Sequence, residues 1–425
     1  MMRVKHLHLK NMRGLKDIEL TFKPGVNLLV GSNSVGKSTV LEGLRVMLSA
    51  LTSRLEGDYR SAYRFKARDV KKDTSCLSSE LLLDFQERSI RWNMQRYSHA
   101  GEEDHTQTSD YDALNEAVKS LEIAQFKHYS LPIALYYNVH RAVKHSDLQP
   151  DFSVRKVRLE PVSALENALA PTGTDFEQIQ KWFAYRSTWF KKNSNVGKSA
   201  ADKQLTSVVK AIESFLPAMF GVWFDESTKT LHTRKNGIDF ELSELSDGEQ
   251  SLLALVADIS RRLATANPDL DNPLAGDAVV LVDEIDLHLH PAWQRKIVAL
   301  FEKTFPNAQF IFTTHSPQIL SHVTPDSIWL FQRNDEGEVE PYQPDTSFGM
   351  DSSSILKLLF DVSEREETTE QQLKQLVQLV DANQLEEGKE LITDLQSKCG
   401  DIELLKRMAA VIWRKELLAG RDVKD

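Results

Sequence analysis

Gly31-Ser32-Asn33-Ser34-Val35-Gly36-Lys37-Ser38 fits the spacing G-x-x-x-x-G-K-S, and the residues on either side of it decide the fold. Val26 to Val30 reads as a strand running straight into it, and Thr39 to Leu48 reads as a helix leaving it. Strand, glycine loop and helix in that order form a phosphate cradle. Gly31 and Gly36 let the backbone fold so that successive N–H groups point inward at phosphate oxygens, while the helix presents its positive N-terminal end to the same anion. Lys37 can then reach the β and γ phosphates, and Ser38 places a hydroxyl where a bridging Mg²⁺ needs a ligand. Asn33, Ser34, Val35 and Thr39 complete the candidate nucleotide-binding set. Asn195-Val196-Gly197-Lys198-Ser199 repeats the tail of the motif, but Lys192 stands where the first glycine is required, so that stretch reads as a solvated loop.

Ala278 to Val282 is a continuous apolar run ending in Asp283-Glu284, the pattern of a buried parallel strand that delivers two carboxylates at its carboxyl end. By itself this could be a polar strand exit. Paired with a phosphate loop, Asp283 is placed to hold Mg²⁺ and Glu284 to polarise the water that attacks the γ-phosphate. A further strand, Gln309 to Phe312, ends in Thr313-Thr314-His315-Ser316-Pro317, and His315 stands within reach of the same phosphate. Leu245-Ser246-Asp247-Gly248-Glu249-Gln250 opens an apolar-periodic helix, Ser251 to Leu263. Taken alone, Ser246 and Glu249 are equally an N-cap and its capping box.

Upstream, Val4 to Leu9 and Ile18 to Phe22 alternate apolar and polar around Asn11-Met12-Arg13-Gly14, which predicts a β-hairpin. With this hairpin, the order G-x-x-x-x-G-K-S, L-S-x-G-E-Q, D-E after a strand and T-H-S after a strand resembles the ABC-type ATPases of the SMC and RecF kind. The resemblance covers residues 1 to 50 and 240 to 330 closely. It implies an α/β fold: a mixed sheet around the phosphate loop, N-terminal antiparallel strands, a helical lid insertion and a helical C-terminal region. It also implies ATP and Mg²⁺ as cofactors and two ATPs sandwiched in a homodimer, with Ser246, Gly248 and Glu249 completing the opposite protomer's site. Arg13 would touch nucleotide, although Met12 replaces the usual aromatic. Ile285-Asp286-Leu287-His288-Leu289-His290-Pro291 would line the dimer seam, and His288 and His290 could instead be read as metal ligands.

The long run from Asp283 to Pro291, the Phe305–Gln318 stretch and Phe348-Gly349-Met350-Asp351 are similar to the compact ATPases of prokaryotic defence systems, PtuA of Septu and the retron ATPases. That resemblance implies a sensor or regulator that controls a separate nuclease effector. The alternative is a RecF-like repair ATPase acting on DNA ends or gaps; a transporter subunit comes third.

Composition is that of a water-soluble globular protein, 41% hydrophobic and 27% charged, with no apolar run of spanning length and no signal-peptide layout, so a cytoplasmic location without a membrane is expected. Cys76 and Cys399 have no zinc or C-x-x-C spacing and read as buried thiols. A net charge of -10 opposes nonspecific nucleic-acid binding over the whole surface but leaves room for a local groove. Arg54, Arg60, Arg64, Lys66, Arg68, Lys71 and Lys72, interleaved with Tyr59, Tyr63 and Phe65, are either a solvated face or such a groove for DNA, as are Arg155, Lys156 and Arg158. Arg141 could face nucleotide.

The expected organisation is an ATPase core from 1–50 and 240–345, an inserted lid or arm at 51–239 and a helical region at 346–425. Within the insertion, strands are expected at Leu81–Phe85 and Ile133–Tyr137, a polar loop at His99–Asp110 and helices across Asp175–Phe220. No sustained heptads appear there, which excludes a long coiled-coil arm. Three amphipathic helices are expected at Gln371–Val380, Leu385–Gln396 and Glu403–Leu418. His128, Asn138, His140 and His145 superficially suggest a nuclease site but lack metal-site organisation, so no nuclease activity is expected of this chain alone.

Overall fold

A computed structural model describes residues 1–85, 88–98, 111–123, 131–139, 160–171, 176–192, 198–359, 367–400 and 402–419. The chain divides into two compact units, Met1–Met350 and Asp351–Asp425.

In the first unit, β1 (Met2–Met12) and β2 (Leu15–Thr21) form the expected hairpin, turning tightly through Arg13-Gly14 with Arg13 at φ 52°. β3 (Val26–Gly31) is buried along its whole length and feeds α1 (Lys37–Leu55). β4 (Cys76–Phe85) and β5 (Arg88–Tyr97) then extend the hairpin into an antiparallel sheet of order β2-β1-β4-β5. Burial alternates along β4, as a sheet with one packed face requires. α2 (Asp112–Ile123) packs on β5. β6 (Ile133–Tyr137), α3 (Phe176–Lys192) and α4 (Lys198–Phe215) follow, then a small antiparallel sheet of β7 (Met219–Asp225), β8 (Thr230–Lys235) and β9 (Ile238–Glu241). The chain continues through α5 (Asp247–Ala266), β10 (Ala278–Val282), α6 (Pro291–Thr304), β11 (Ala308–Thr314), α7 (Pro317–Leu320), β12 (Ile328–Arg333) and β13 (Val339–Tyr342).

The central sheet has the order β13-β12-β3-β11-β10-β6. It is parallel from β12 to β6, with β13 antiparallel on the edge. The unbroken apolar run of β10 and the complete burial of β3 are explained by this: both are interior strands covered on both faces. α1 lies between the two larger sheets, touching β1 and β4 on one side and β3, β6, β10 and β11 on the other. It is accordingly buried almost all round, in contrast to a surface helix with a single apolar stripe. Behind β11, Phe301 packs against Phe215 and Phe312 edge-on, Phe310 at a tilt and Phe305 stacked, joining α4 and α6 to the sheet.

Three expectations are corrected. Residues 51–239 contribute to the core: β4 pairs with β1 and β5 in the first sheet, and β6 pairs with β10 as the last strand of the central one. Within that stretch α3 and α4 do pack on α5. Helix does not reach Phe220; it stops at Phe215, and Leu216-Pro217 breaks it before β7 begins at Met219. The cysteines are not both buried, since Cys76 is half-buried and Cys399, at the end of a helix, is exposed. The polar loop His99–Asp110 lies outside the described residues, as do Arg141, Arg155, Lys156, Arg158, His128, His140 and His145. No helix among the described residues is long and apolar enough to cross a membrane.

The second unit contains α8 (Ser352–Leu359), α9 (Glu367–Asp381), α10 (Leu385–Cys399) and α11 (Glu403–Ala419). The three expected amphipathic patterns fall in α9, α10 and α11. Their apolar faces close on one another, with Leu373, Leu376 and Val380, Ile392 and Leu395, and Leu405 and Ile412 as the common core.

The two larger sheets are joined by one buried amide. Gln309 on β11 accepts from Val4 N–H at 2.8 Å and donates to the carbonyls of Val4 and Lys23, both at 2.9 Å. It sits beside the bulge between Val4 and His6, where β1 loses register with β4 and its backbone groups need another partner. Gln309→Leu, similar in size, should therefore cost about 2–4 kcal/mol by orphaning buried peptide groups. Chemical denaturation should show a lower midpoint, and an unchanged midpoint would mean that other groups satisfy Val4.

Candidate nucleotide site

The phosphate loop leaves β3 at the carboxyl edge of the central sheet, between the ends of β11 and β12. Ligands bind at this edge in open parallel sheets because neighbouring loops diverge there. The loop turn needs Gly36, whose φ of 102° disfavours a side chain and whose added Cβ would stand 2.5 Å from Leu15. Ser34 also holds a left-handed φ, 64°. Lys37 is 6% exposed, and its Nζ donates to the carbonyls of Gly31 and Ser32, both at 2.9 Å. Burial lowers the Lys37 pKa, and the carboxylates of Asp283, Glu284 and Asp286 oppose that shift.

A cleft of about 200 Å³ opens over this loop. Asn33, Ser34, Val35, Gly36, Lys37, Ser38 and Thr39 line its floor, and Asp283, Glu284 and His315 line one side. Residues 245 apart in sequence meet here: Ser38 Oγ donates to Asp283 Oδ1 at 3.1 Å, and Thr313 Oγ1 donates to the same oxygen at 2.5 Å. The Thr313 hydroxyl also accepts from the Glu284 N–H at 2.7 Å. Glu284 takes a left-handed φ of 48°, and this reversal turns its carboxylate into the cleft wall directly after the strand. A hydroxyl and a carboxylate oxygen side by side form a hard-oxygen donor set of the kind Mg²⁺ prefers, so Ser38 and Asp283 fit that ion.

His315 is half-buried, and its pKa is lowered first by burial and next by Lys37, against the opposing pull of Asp286, Glu284 and Asp283. Both effects favour the neutral imidazole, which can still offer a hydrogen bond. Gln294 fixes the neighbouring backbone: it accepts from Ser316 Oγ at 2.8 Å and donates to the Leu289 carbonyl at 2.9 Å. His290 caps α6, its Nδ1 accepting from the Ala292 N–H at 3.2 Å, and no cluster of three metal-ligating side chains occurs among the described residues.

Ser246, Gly248 and Glu249 stand apart from this cleft at the start of α5. Locally they form the capping box: Ser246 Oγ accepts from the Glu249 N–H at 3.5 Å, and Ser246 N–H donates to Glu249 Oε2 at 3.2 Å. Burial would raise the Glu249 pKa, but Lys235 at 2.6 Å and the Ser246 hydrogen bonds outweigh it and hold the carboxyl below its ordinary value. Gly248 lies against the His288 carbonyl, which would collide with any Cβ. Arg13 is not in the cleft lining; its guanidinium grips Asp69 Oδ1 through Nε at 3.0 Å and Nη2 at 2.9 Å, while its neighbour Gly14 lines the cleft. Of the basic run, Arg54 is buried and bonded to Asn115, Lys71 pairs with Glu338, and Arg60, Arg64, Lys66, Arg68 and Lys72 are exposed.

Sequence reasoning missed Thr313, whose signal was its place in the T-T-H-S run, and Arg333, which belongs to no motif and enters only because β12 pairs with β3. It also missed a buried bridge behind the acidic strand, in which Tyr137 donates to Asp258 of α5 at 2.8 Å and its carbonyl accepts from the Asp283 N–H. Replacing Lys37 by alanine should raise the His315 pKa, because a like charge is lost while burial stays. Ring-proton NMR titration should show the midpoint moving up; an unmoved or lower midpoint would mean the ammonium does not act on the imidazole.

The family described as "AAA domain, putative AbiEii toxin, Type IV TA system" matches residues 61–321, more than half of the chain, and a second AAA domain family matches residues 2–75. The retron Ec83 probable ATPase of Escherichia coli is 30% identical over 424 residues, covering 86% of this chain and 77% of that one. The retron Vc95 probable ATPase of Vibrio cholerae serotype O1 biovar El Tor is 26% identical, covering 84% of this chain and 79% of its own. Septu protein PtuA of Bacillus thuringiensis is 24% identical, with 87% and 86% covered. With its phosphate loop and acidic strand joined in one cleft, the chain belongs to this AAA-domain family, as a relative of the retron and Septu proteins, and is an ATPase.

Proposed function

We propose that the chain is the regulatory ATPase of a prokaryotic antiphage defence complex, hydrolysing ATP with Mg²⁺ and controlling a separate nuclease effector. The observation that carries the catalytic half is the meeting of Ser38, Thr313 and Asp283 at one oxygen, which brings both halves of a nucleotide site together. The defence half is supported by the similarity to retron and Septu proteins along most of the chain.

In this reading the loop N–H groups and Lys37 bind the β and γ phosphates, and Glu284 accepts a proton from the attacking water as its oxygen bonds to the γ-phosphorus and the bond from that phosphorus to the β–γ bridging oxygen breaks, releasing ADP and phosphate. Ser38 and Asp283 would hold Mg²⁺, which would offset the negative charge of the phosphates. His315 donates to the γ-phosphate as charge moves onto its oxygens. Arg13 contributes from the nucleotide's edge once its guanidinium leaves Asp69. Ser246 is exposed, and it lies outside the chain's own cleft, so Ser246, Gly248 and Glu249 would act on ATP held by a second copy, making the working unit a homodimer. The exposed run Arg60, Arg64, Lys66, Arg68 and Lys72 would supply the DNA contact.

Lys37→Ala should abolish ATP binding, whereas Glu284→Gln should bind ATP normally and slow phosphate release about 100-fold or more. Equilibrium binding and phosphate release separate the two, and wild-type turnover in Glu284→Gln would remove that residue from the catalytic role. ATP should also drive the Glu284→Gln protein to a higher mass by light scattering, and Ser246→Arg should block the rise. A mass indifferent to both nucleotide and substitution would count against the sandwich.

A further inference from the structure

We propose that Arg333, with Val339 beside it, seats the nucleoside half of ATP on the flank of the cleft away from Glu284. The inference rests on the nucleotide-site reading above and adds a residue that no sequence motif marks.

The sheet order carries the argument. β3 delivers the phosphate loop; β11 and β10, which bring His315, Asp283 and Glu284, lie on one side of it, and β12 and β13 lie on the other. Arg333 ends β12 and Val339 starts β13, and both line the same cleft as the carboxylates. A triphosphate whose last phosphate stands at Lys37 and Glu284 must lead its sugar and base away from those carboxylates. The wall it then meets is Gly14, Arg333 and Val339.

That wall has the chemistry for a nucleoside. Arg333 is held as a fixed plate, with Nη1 donating to the Gly337 carbonyl at 2.7 Å and Nη2 to the Ser34 carbonyl at 3.3 Å. A guanidinium anchored along one edge offers its flat face to a purine, and its cost of ordering is already met before the ligand arrives. Val339 adds an apolar neighbour. The hairpin carrying both is braced: Asn334 Oδ1 accepts from the N–H groups of Glu336 and Glu338, and Lys71 pairs with Glu338 at 3.0 Å. Asp69, two residues before Lys71, also accepts at its carbonyl from the Arg13 N–H at 2.8 Å, next to Gly14. The chain neighbours of Gly14 and Val339 are thus both bonded to the one segment 66–73.

The test separates base from phosphate by measuring the affinity of the full-length chain for ATP and for inorganic triphosphate, each with Mg²⁺. Arg333→Ala should weaken ATP binding roughly tenfold, the size of a lost stacking contact, and leave inorganic triphosphate within about twofold. Arg333→Lys should fall between, because it keeps the charge and loses the plane. Equal loss of both ligands would overturn the proposal, since Arg333 would then act only through the Ser34 carbonyl on the phosphate loop; unchanged ATP affinity would overturn it as well. Lys37→Ala is the control for the underlying reading: it should lose both ligands, and if it retains both, the nucleotide site itself is misplaced whatever Arg333 does. Thermal melting checks the fold, and Arg333→Gln replaces the alanine variant if that one melts early.

Discussion

The structure turns on a single carboxylate oxygen. Asp283 Oδ1 accepts from the Ser38 hydroxyl at the start of α1 and from the Thr313 hydroxyl at the end of β11, while the Asp283 N–H donates to the last carbonyl of β6. One residue thus ties together β6, β10, β11 and the helix that follows β3. Asp283 is 4% exposed, and a carboxylate so buried persists only with partners of this kind. The two hydroxyls pin the acidic strand to the phosphate loop before any ligand arrives.

A second buried carboxylate does for α5 what Asp283 does for the strand ends. Asp258 accepts from Arg262 at 2.8 Å, Arg261 at 2.5 Å and the Tyr137 hydroxyl at 2.8 Å. Burial alone would raise its pKa; the two guanidinium groups outweigh that and hold it far below the ordinary carboxylate range, with the Tyr137 hydroxyl pushed well up by its own burial. Arg262 reaches on to the carbonyls of Ala164 and Glu166, fastening the 160–171 stretch to the same helix. Breaking such a group by removing one partner is costlier than the pair is worth, because it strands a charge in the interior.

Motif-bearing parts of the site were legible in the sequence because each chemistry forces a local pattern: a glycine turn before a helix, an apolar strand before acids, a serine three residues before a glutamate. The hairpin and the three tail helices were legible through periodicity alone. What escaped was set by pairing between distant segments. Nothing local in Cys76–Phe85 says that it will pair with β1, and nothing in Ile133–Tyr137 says that it will lie beside β10; the sequence marks Leu81–Phe85 and Ile133–Tyr137 as strands, but of a separate insertion. Arg333 escaped for the same reason, as its proximity to Ser34 exists only through the register of β12 on β3. The boundary of the helical stretch before β7 was missed because Leu216-Pro217-Ala218 interrupts an apolar pattern without changing its character.

Gly248 and the His288 carbonyl leave no room between the start of α5 and the segment that follows the acidic strand. His288 itself is held at φ 62°, and Gln294 ties the Leu289 carbonyl beside it to Ser316 at the end of β11. Two segments that lie far apart in the chain are therefore in close backbone contact, and any side chain at position 248 would have to push the His288 backbone aside. The residue that sets the spacing between them is the one with no side chain.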